Sequence, residues 1–151
     1  MKNKYFLFCL LLTCAFAFCS CGMDLSHKHY LNEFGFCRQC QKDLSISMKF
    51  DGEKYVSEEV NCPTNDYTYF KFVANSASHV TIYLEEITAS VESYNLHLYK
   101  EGSYGLSLWH DVENNSFRYE NPLTQGDTYF VKVKASAAGK IRLSVQFTSY
   151  P

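Results

Sequence analysis

Two cysteines and two histidines near the start of the chain carry the most recognisable chemistry. Cys37 and Cys40 form a Cys-x-x-Cys, and His27 and His29 lie upstream of it, two residues apart. Two thiolates three residues apart can grip one ion from a tight turn, and tetrahedral zinc accepts mixed sulfur and nitrogen ligands. In an extended stretch residues i and i+2 point the same way, so both imidazoles can face that turn. A segment of ~20 residues cannot bury enough apolar surface to fold without a staple. A structural zinc supplies an apparent ~10–16 kcal/mol, which is ample for that purpose. The same residues also permit a Cys37–Cys40 disulfide outside the cytoplasm, a redox pair lacking the usual βαβ context, or a plain tether. Cys62 is a further thiol downstream, suited to be a small buried hydrophobe or a third sulfur ligand.

The other polar residues suggest no reaction. Ser103 sits in Gly-Ser-Tyr-Gly, which lacks the Gly-x-Ser-x-Gly spacing of a nucleophile elbow. His79, His97 and His110 are scattered, with no His-Glu-x-x-His arrangement. His110 and Asp111 are neighbours, and neighbours on a strand point to opposite faces. Glu85, Glu86, Asp111, Glu113 and Asp127 could hold calcium only by gathering at loop ends, since no calcium-loop spacing joins them. The expectation is therefore a protein that is not an enzyme. A formal charge of −2 with interspersed signs leaves no nucleic-acid footprint.

The first twenty residues read as a secretory signal. Lys2 and Lys4 make a basic start, and Tyr5 to Phe18 is an apolar run too short for a membrane span. The run ends Phe18-Cys19-Ser20-Cys21-Gly22, which resembles the lipobox of bacterial lipoproteins. Membership would imply cleavage before Cys21 and its acylation, anchoring the chain to a membrane of the bacterial cell envelope. Cys21 is preferred to Cys19 because small Ser20 precedes it, although Phe18 stands where the family usually has leucine. Plain secretion is the alternative. Removing residues 1–20 takes away two lysines and no acids, leaving 12 basic and 16 acidic side chains. An acylated Cys21 cannot ligate, so the metal candidates are His27, His29, Cys37 and Cys40. The Gly35-Phe36-Cys37-x-x-Cys40 ending resembles short bacterial zinc knuckles over about fifteen residues.

From residue 45 onward the chain alternates apolar and polar residues, the grammar of half-buried strands. The clearest stretch is Asp66 to Ile87, read as an antiparallel strand pair with Phe70 and Phe72 inward on one strand and Val80, Ile82 and Leu84 inward on the other. Ser45–Phe50 and Glu53–Val60 read as strands around an Asp51-Gly52 turn. Ser93–Lys100 follows, then a hairpin of Leu106–Val112 and Ser116–Glu120 around Glu113-Asn114-Asn115. Thr128–Lys134 places Tyr129, Val131 and Val133 inward, and Lys140–Thr148 closes the domain. Seven to nine short strands with no sustained helical periodicity predict an all-β, antiparallel two-sheet sandwich over 45–151. The organisation expected is a signal peptide at 1–20, a lipid-anchored Cys/His segment at 21–44, and the sandwich.

Three of these strands carry motifs: Tyr67-Thr68-Tyr69-Phe70-Lys71-Phe72, Asn95-Leu96-His97-Leu98-Tyr99, and Gly126-Asp127-Thr128-Tyr129-Phe130-Val131-Lys132-Val133. Together with Val80 to Leu84 they resemble the bacterial pre-peptidase C-terminal domain, over about residues 52–147. That resemblance implies a jelly-roll-like sandwich with a role in secretion or substrate binding. The chain departs from the pattern at Asn95, where the family favours aspartate, and it contains no peptidase. Strand parity places Tyr83, Tyr99 and Phe130 on the solvent side, and Trp109 is the only tryptophan. Such rings can stack on a glycan or pack against a protein partner, or they can lie under loops. The function expected is a non-catalytic envelope lipoprotein acting as a binding or adhesion module, the alternatives being an assembly subunit of an envelope complex and, remotely, a hydrolase.

Overall fold

The computed structural model describes residues 29–92 and 95–148. The expected signal peptide and the candidate residues Cys21 and His27 lie outside the described residues. The described chain is all-β, with two sheets packed face to face. One sheet has five strands in the order β1-β5-β11-β7-β8: Ile46–Ser47, Tyr67–Val73, Thr128–Lys134, Leu96–Lys100 and Gly105–Leu106. The other has seven. Its path is β2 (Lys49–Phe50), β3 (Lys54–Val56), β12 (Gly139–Thr148), β6 (His79–Glu86), β10 (Ser116–Tyr119) and β9 (Trp109–Asp111), and β4 (Val60–Cys62) also pairs with β12.

Alternation builds the core directly. Phe70, Phe72, Leu96, Leu98, Val131 and Val133 face inward from one sheet, and Val80, Ile82, Leu84, Phe117, Ile141, Leu143 and Val145 from the other. All are buried. At ~25 cal/mol per Å² of apolar surface removed from water, this interior is the main stabilising term.

The structure corrects three expectations about strands. β5 and β6 are not hydrogen-bonded to each other: they belong to different sheets and meet across the core. The edges of β5 are taken by β1 and β11, and those of β6 by β12 and β10. The 123–127 loop ties down the connection between them, with Ala74 N donating to Asp127 O, Gly126 N to Ala74 O and Leu123 N to Ser78 O. Ser45–Phe50 is not one strand either. It passes from the first sheet to the second at buried Met48, whose N–H donates to Lys71 O at 2.9 Å. Glu53–Val60 divides into β3 and β4 because Ser57 turns inward between them, its hydroxyl accepting from Leu143 N and its N–H donating to Leu143 O.

Candidate metal centre and the two outer faces

Residues 29–44 form a tight double turn. Leu31 bridges Cys37 and Phe36 bridges Asp43. The Asn32 side chain accepts from Phe34 N and Phe36 N, both at 3.0 Å, and Cys37 N donates to Lys42 O. Gln41 N donates to Cys37 O, closing the Cys-x-x-Cys turn with Gln41 at φ 58°. This local closure brings His29, Cys37 and Cys40 together, their ligand atoms within 4.8 Å of one another. His29 Nδ1 and Cys40 Sγ are 3.7 Å apart. Zinc bonds of ~2.3 Å to sulfur and ~2.0–2.1 Å to nitrogen, at a tetrahedral angle, put such a pair about 3.6 Å apart. The group can hold a metal ion.

A thiol beside an imidazole is also how a nucleophilic pair begins. Here a second thiol, that of fully buried Cys37, joins half-buried Cys40 and the His29 ring. Two sulfurs and one ring nitrogen converging on one point is the pattern of a ligand set. Cys62 is not part of it. It lies buried in the sandwich core, where desolvation pushes its thiol up, partly offset by a hydrogen bond with Thr68.

The turn is packed against the outer face of the five-stranded sheet. Gly35 lies on Tyr69: a Cβ there would come within 2.9 Å of the Tyr69 Cβ and Cγ, and its φ of +84° suits only glycine. Phe34 and Phe36, on either side, cover Phe130 with ring centroids at 5.2 and 6.0 Å, and Phe34 meets Tyr99 edge-on at 6.2 Å. Asp43 pairs with Lys71. Burial alone would raise the Asp43 carboxyl, but hydrogen bonds from Lys71 and Ser45 and the Lys71 charge outweigh it and leave its pKa lowered.

Beside this seam the Lys132 ammonium sits 3.9 Å over the Tyr67 ring, with Tyr69 and Tyr99 next to it. Desolvation lowers the Lys132 pKa, against an opposing pull from Glu33, and Arg38 lowers it further. Both of those charged residues belong to the turn. His97 is likewise held down by desolvation and by Lys132.

The four aromatic candidates therefore do not form one cluster. Phe130 is not on the solvent side as expected but 1% exposed, because parity aims it outward and the Phe34–Phe36 turn then covers it. Tyr99 is half-buried at the same seam. Tyr83 and Trp109 lie on the opposite sheet and stay open, at 38% and 59%. They share a groove whose polar members are Thr81, Asp111, Asn114, Ser116 and Arg118. Sequence reading missed Phe34 and Gly35 as docking residues and missed the groove's polar floor. A signal existed for the first: aromatic residues at 34 and 36 precede a strand with an outward phenylalanine. The floor had none, since its residues come from three separate strands and a turn.

The acids considered for calcium are spread over the sandwich. Glu85 pairs with Arg142, Asp127 with Lys100, and Asp111 holds its own turn. His110 stacks on Phe117 at 4.5 Å inside the fold, and its neighbour Asp111 faces the other way, into the groove.

No family model and no curated relative matches the chain. Among solved structures it is similar to Aeromonas hydrophila PliG, a periplasmic lysozyme inhibitor of g-type lysozyme. That match has 12% identity and a TM-score of 0.45, over 69% of this chain and 96% of that one. The Salmonella Typhimurium PliG matches at 16% identity and 0.41, over 69% and 98%. An Escherichia coli PliG mutant matches at 15% and 0.37, over 69% and 97%.

The Tyr69 phenol provides a pH test of the seam. Burial first, then the nearby Asp66, Tyr67, Tyr99 and Glu33, push its pKa from 10.0 to about 12. The folded value is raised, so the contribution to stability is complete below pH 10.0 and is lost as the pH rises through about 12. The tyrosinate absorbance of the wild type minus that of Tyr69→Phe is expected to develop near pH 12. A difference that titrates at the ordinary tyrosine value would mean the turn does not cover this ring.

Proposed function

We propose that the protein is an exported, lipid-anchored, non-catalytic binding module of a bacterial cell envelope. In this reading a zinc-holding segment braces one face of the sandwich and a ligand occupies the other. The observation that carries it is the division of the outer faces. Residues 29–44 cover Tyr69, Tyr99 and Phe130, whereas Tyr83 and Trp109 remain open beside a polar groove. Tyrosine and tryptophan are the residue types that binding surfaces concentrate, with one apolar face and one polar handle. The ligand is a glycan or a protein.

Zinc suits the donor set of His29, Cys37 and Cys40, and His27 is the fourth ligand in this reading. Its role is structural: it closes the loop that presents Phe34, Gly35 and Phe36 to the sheet. Kinship with the pre-peptidase C-terminal sandwiches is part of the same proposal. It is supported by the three motif strands lying side by side as β5, β11 and β7. Lipid attachment at Cys21 rests on the Ser20-Cys21 junction after the apolar run.

Protein prepared without chelator is expected to carry about one zinc per chain. Metal content equal to that of a Cys37→Ser/Cys40→Ser double variant would end the zinc reading. Metabolic labelling with a fatty acid is expected to vanish in Cys21→Ala, and label that persists would place the acyl group on another cysteine. A screen of the mature chain against glycans and proteins, g-type lysozyme among them, is expected to yield a ligand whose affinity falls about tenfold or more in Trp109→Ala. One stable co-purifying partner and no such ligand would point instead to an assembly subunit. Turnover of a hydrolase substrate that a single substitution abolishes would overturn the non-catalytic reading.

A further inference from the structure

We propose that the groove between Tyr83 and Trp109 is a subsite for an uncharged oligosaccharide. This rests on the binding-module reading and names the ligand class for its open face. The register fixes the geometry. Tyr83 lies opposite Ser116, and Trp109 lies opposite Arg118, two residues further along the same strand β10. Two strand spacings across and two residues along separate the aromatic positions by roughly 12 Å. That backbone separation is wider than one pyranose ring, and side chains standing upright on it are spaced to suit a short chain of sugars better than a single one.

The lining selects the chemistry. Between the aromatic walls the floor carries the hydroxyls of Thr81 and of Ser116, the latter 6% exposed, and among the described residues no aliphatic side chain lines the groove. Sugars present alternating apolar C–H faces and equatorial hydroxyls, which match aromatic walls over a polar floor. The apolar surface here is confined to the two rings with the polar floor between them, whereas a protein contact usually has a continuous apolar centre. β10, under the middle of the groove, is paired on both sides, by β6 and β9, and the open edge on that side of the sheet is the outer side of β9, the strand that carries Trp109.

Charge argues the same way. The groove holds one guanidinium, Arg118, and one carboxylate, Asp111, so the two formal charges offset and neither an anionic nor a cationic ligand is favoured. Asp111 is also engaged within its own turn. Its Oδ1 accepts from Glu113 N at 3.1 Å and its Oδ2 from Asn114 Nδ2 at 2.8 Å. That bond orders the Asn114 amide at the groove's end, where a planar hydrogen-bonding group can meet sugar hydroxyls.

Trp109 is the only tryptophan in the chain, so its fluorescence reports this groove directly. The full-length mature protein is titrated with uncharged oligosaccharides of gluco, manno and galacto configuration, their monosaccharides, and acidic oligosaccharides. The expected result is a saturable change in Trp109 emission with an uncharged oligosaccharide. It weakens about fivefold or more in Tyr83→Ala and is unchanged in Tyr104→Ala, which removes a 94% exposed ring outside the groove. Thermal unfolding of both variants checks that they fold, and Thr81→Val supplies a second, milder test of the floor. No response to any uncharged oligosaccharide overturns the inference. So does binding of acidic sugars alone with steep salt dependence, or an equal response in wild type and Tyr83→Ala. A protein ligand that shifts Trp109 emission while no sugar does also overturns it, yet leaves the binding-module reading standing. If neither sugars nor proteins bind, that broader reading fails with it.

Discussion

Gly35 approaches Tyr69 so closely that no side chain fits between them, and much of the molecule's outer surface follows from that contact. A backbone laid flat on a ring at this distance needs a positive φ and no Cβ, and the chain supplies both at one residue. Phe34 and Phe36 are then carried to either side, over Tyr99 and Phe130. Sixteen residues cannot hold this shape through their own apolar burial. They draw on two outside supports, the aromatic floor beneath and the Asp43–Lys71 pair at one end, and on the convergence of their own His29, Cys37 and Cys40. The ligand set and the aromatic seam constrain the same short loop, so each limits the freedom the other would have to restrain.

The seam also explains an otherwise costly arrangement of charge. Lys132 projects from the centre of the five-stranded sheet into a partly desolvated space, where an ammonium alone would be expensive. Three tyrosine rings surround it, with the Tyr67 face nearest, and Glu33 approaches from the turn above. Rings and acid together replace part of the lost hydration. On the opposite sheet the outward charges are handled differently. Arg142 spans Glu85 and Glu59 in the open, where solvent screening leaves such pairs little energetic weight. One face is thus built as an interior and the other as a surface.

What could be read from the sequence, and what could not, divides along the same lines. The Cys-x-x-Cys and the upstream histidine were legible because ligand spacing is local: a turn of four residues determines where two sulfurs point. Inward positions such as Phe70, Ile82 and Val131 were legible for a similar reason, since parity along a strand needs no knowledge of its neighbours. Partnership was not legible. Asp66–Ile87 alternates like a hairpin, yet β5 and β6 face each other across the core, because hydrogen-bonding edges carry no side-chain signature. Phe130 shows the same limit. Parity gives the direction of its ring, and only the path of residues 34–36 decides whether water or protein lies there. Ser116, Thr81 and Asn114 meet at one groove through registers that no linear spacing encodes.

The placement of the two ends of this arrangement bears on how the module would present itself if Cys21 carries the anchor. The described chain begins at His29, beside Thr64 to Tyr67 at one end of the five-stranded sheet. Seven residues separate it from Cys21, and even a fully extended run of that length spans at most roughly 25 Å. A metal at His29 would fasten the near end of that tether to the sealed face and shorten its free length. The groove with Tyr83 and Trp109 is on the outer side of the other sheet, with the whole sandwich between. A short tether fixed to the closed face leaves the open face turned from the membrane, whereas a slack tether would let either face turn toward it. A metal held there would then contribute to binding without touching the ligand, by limiting which way the groove can point.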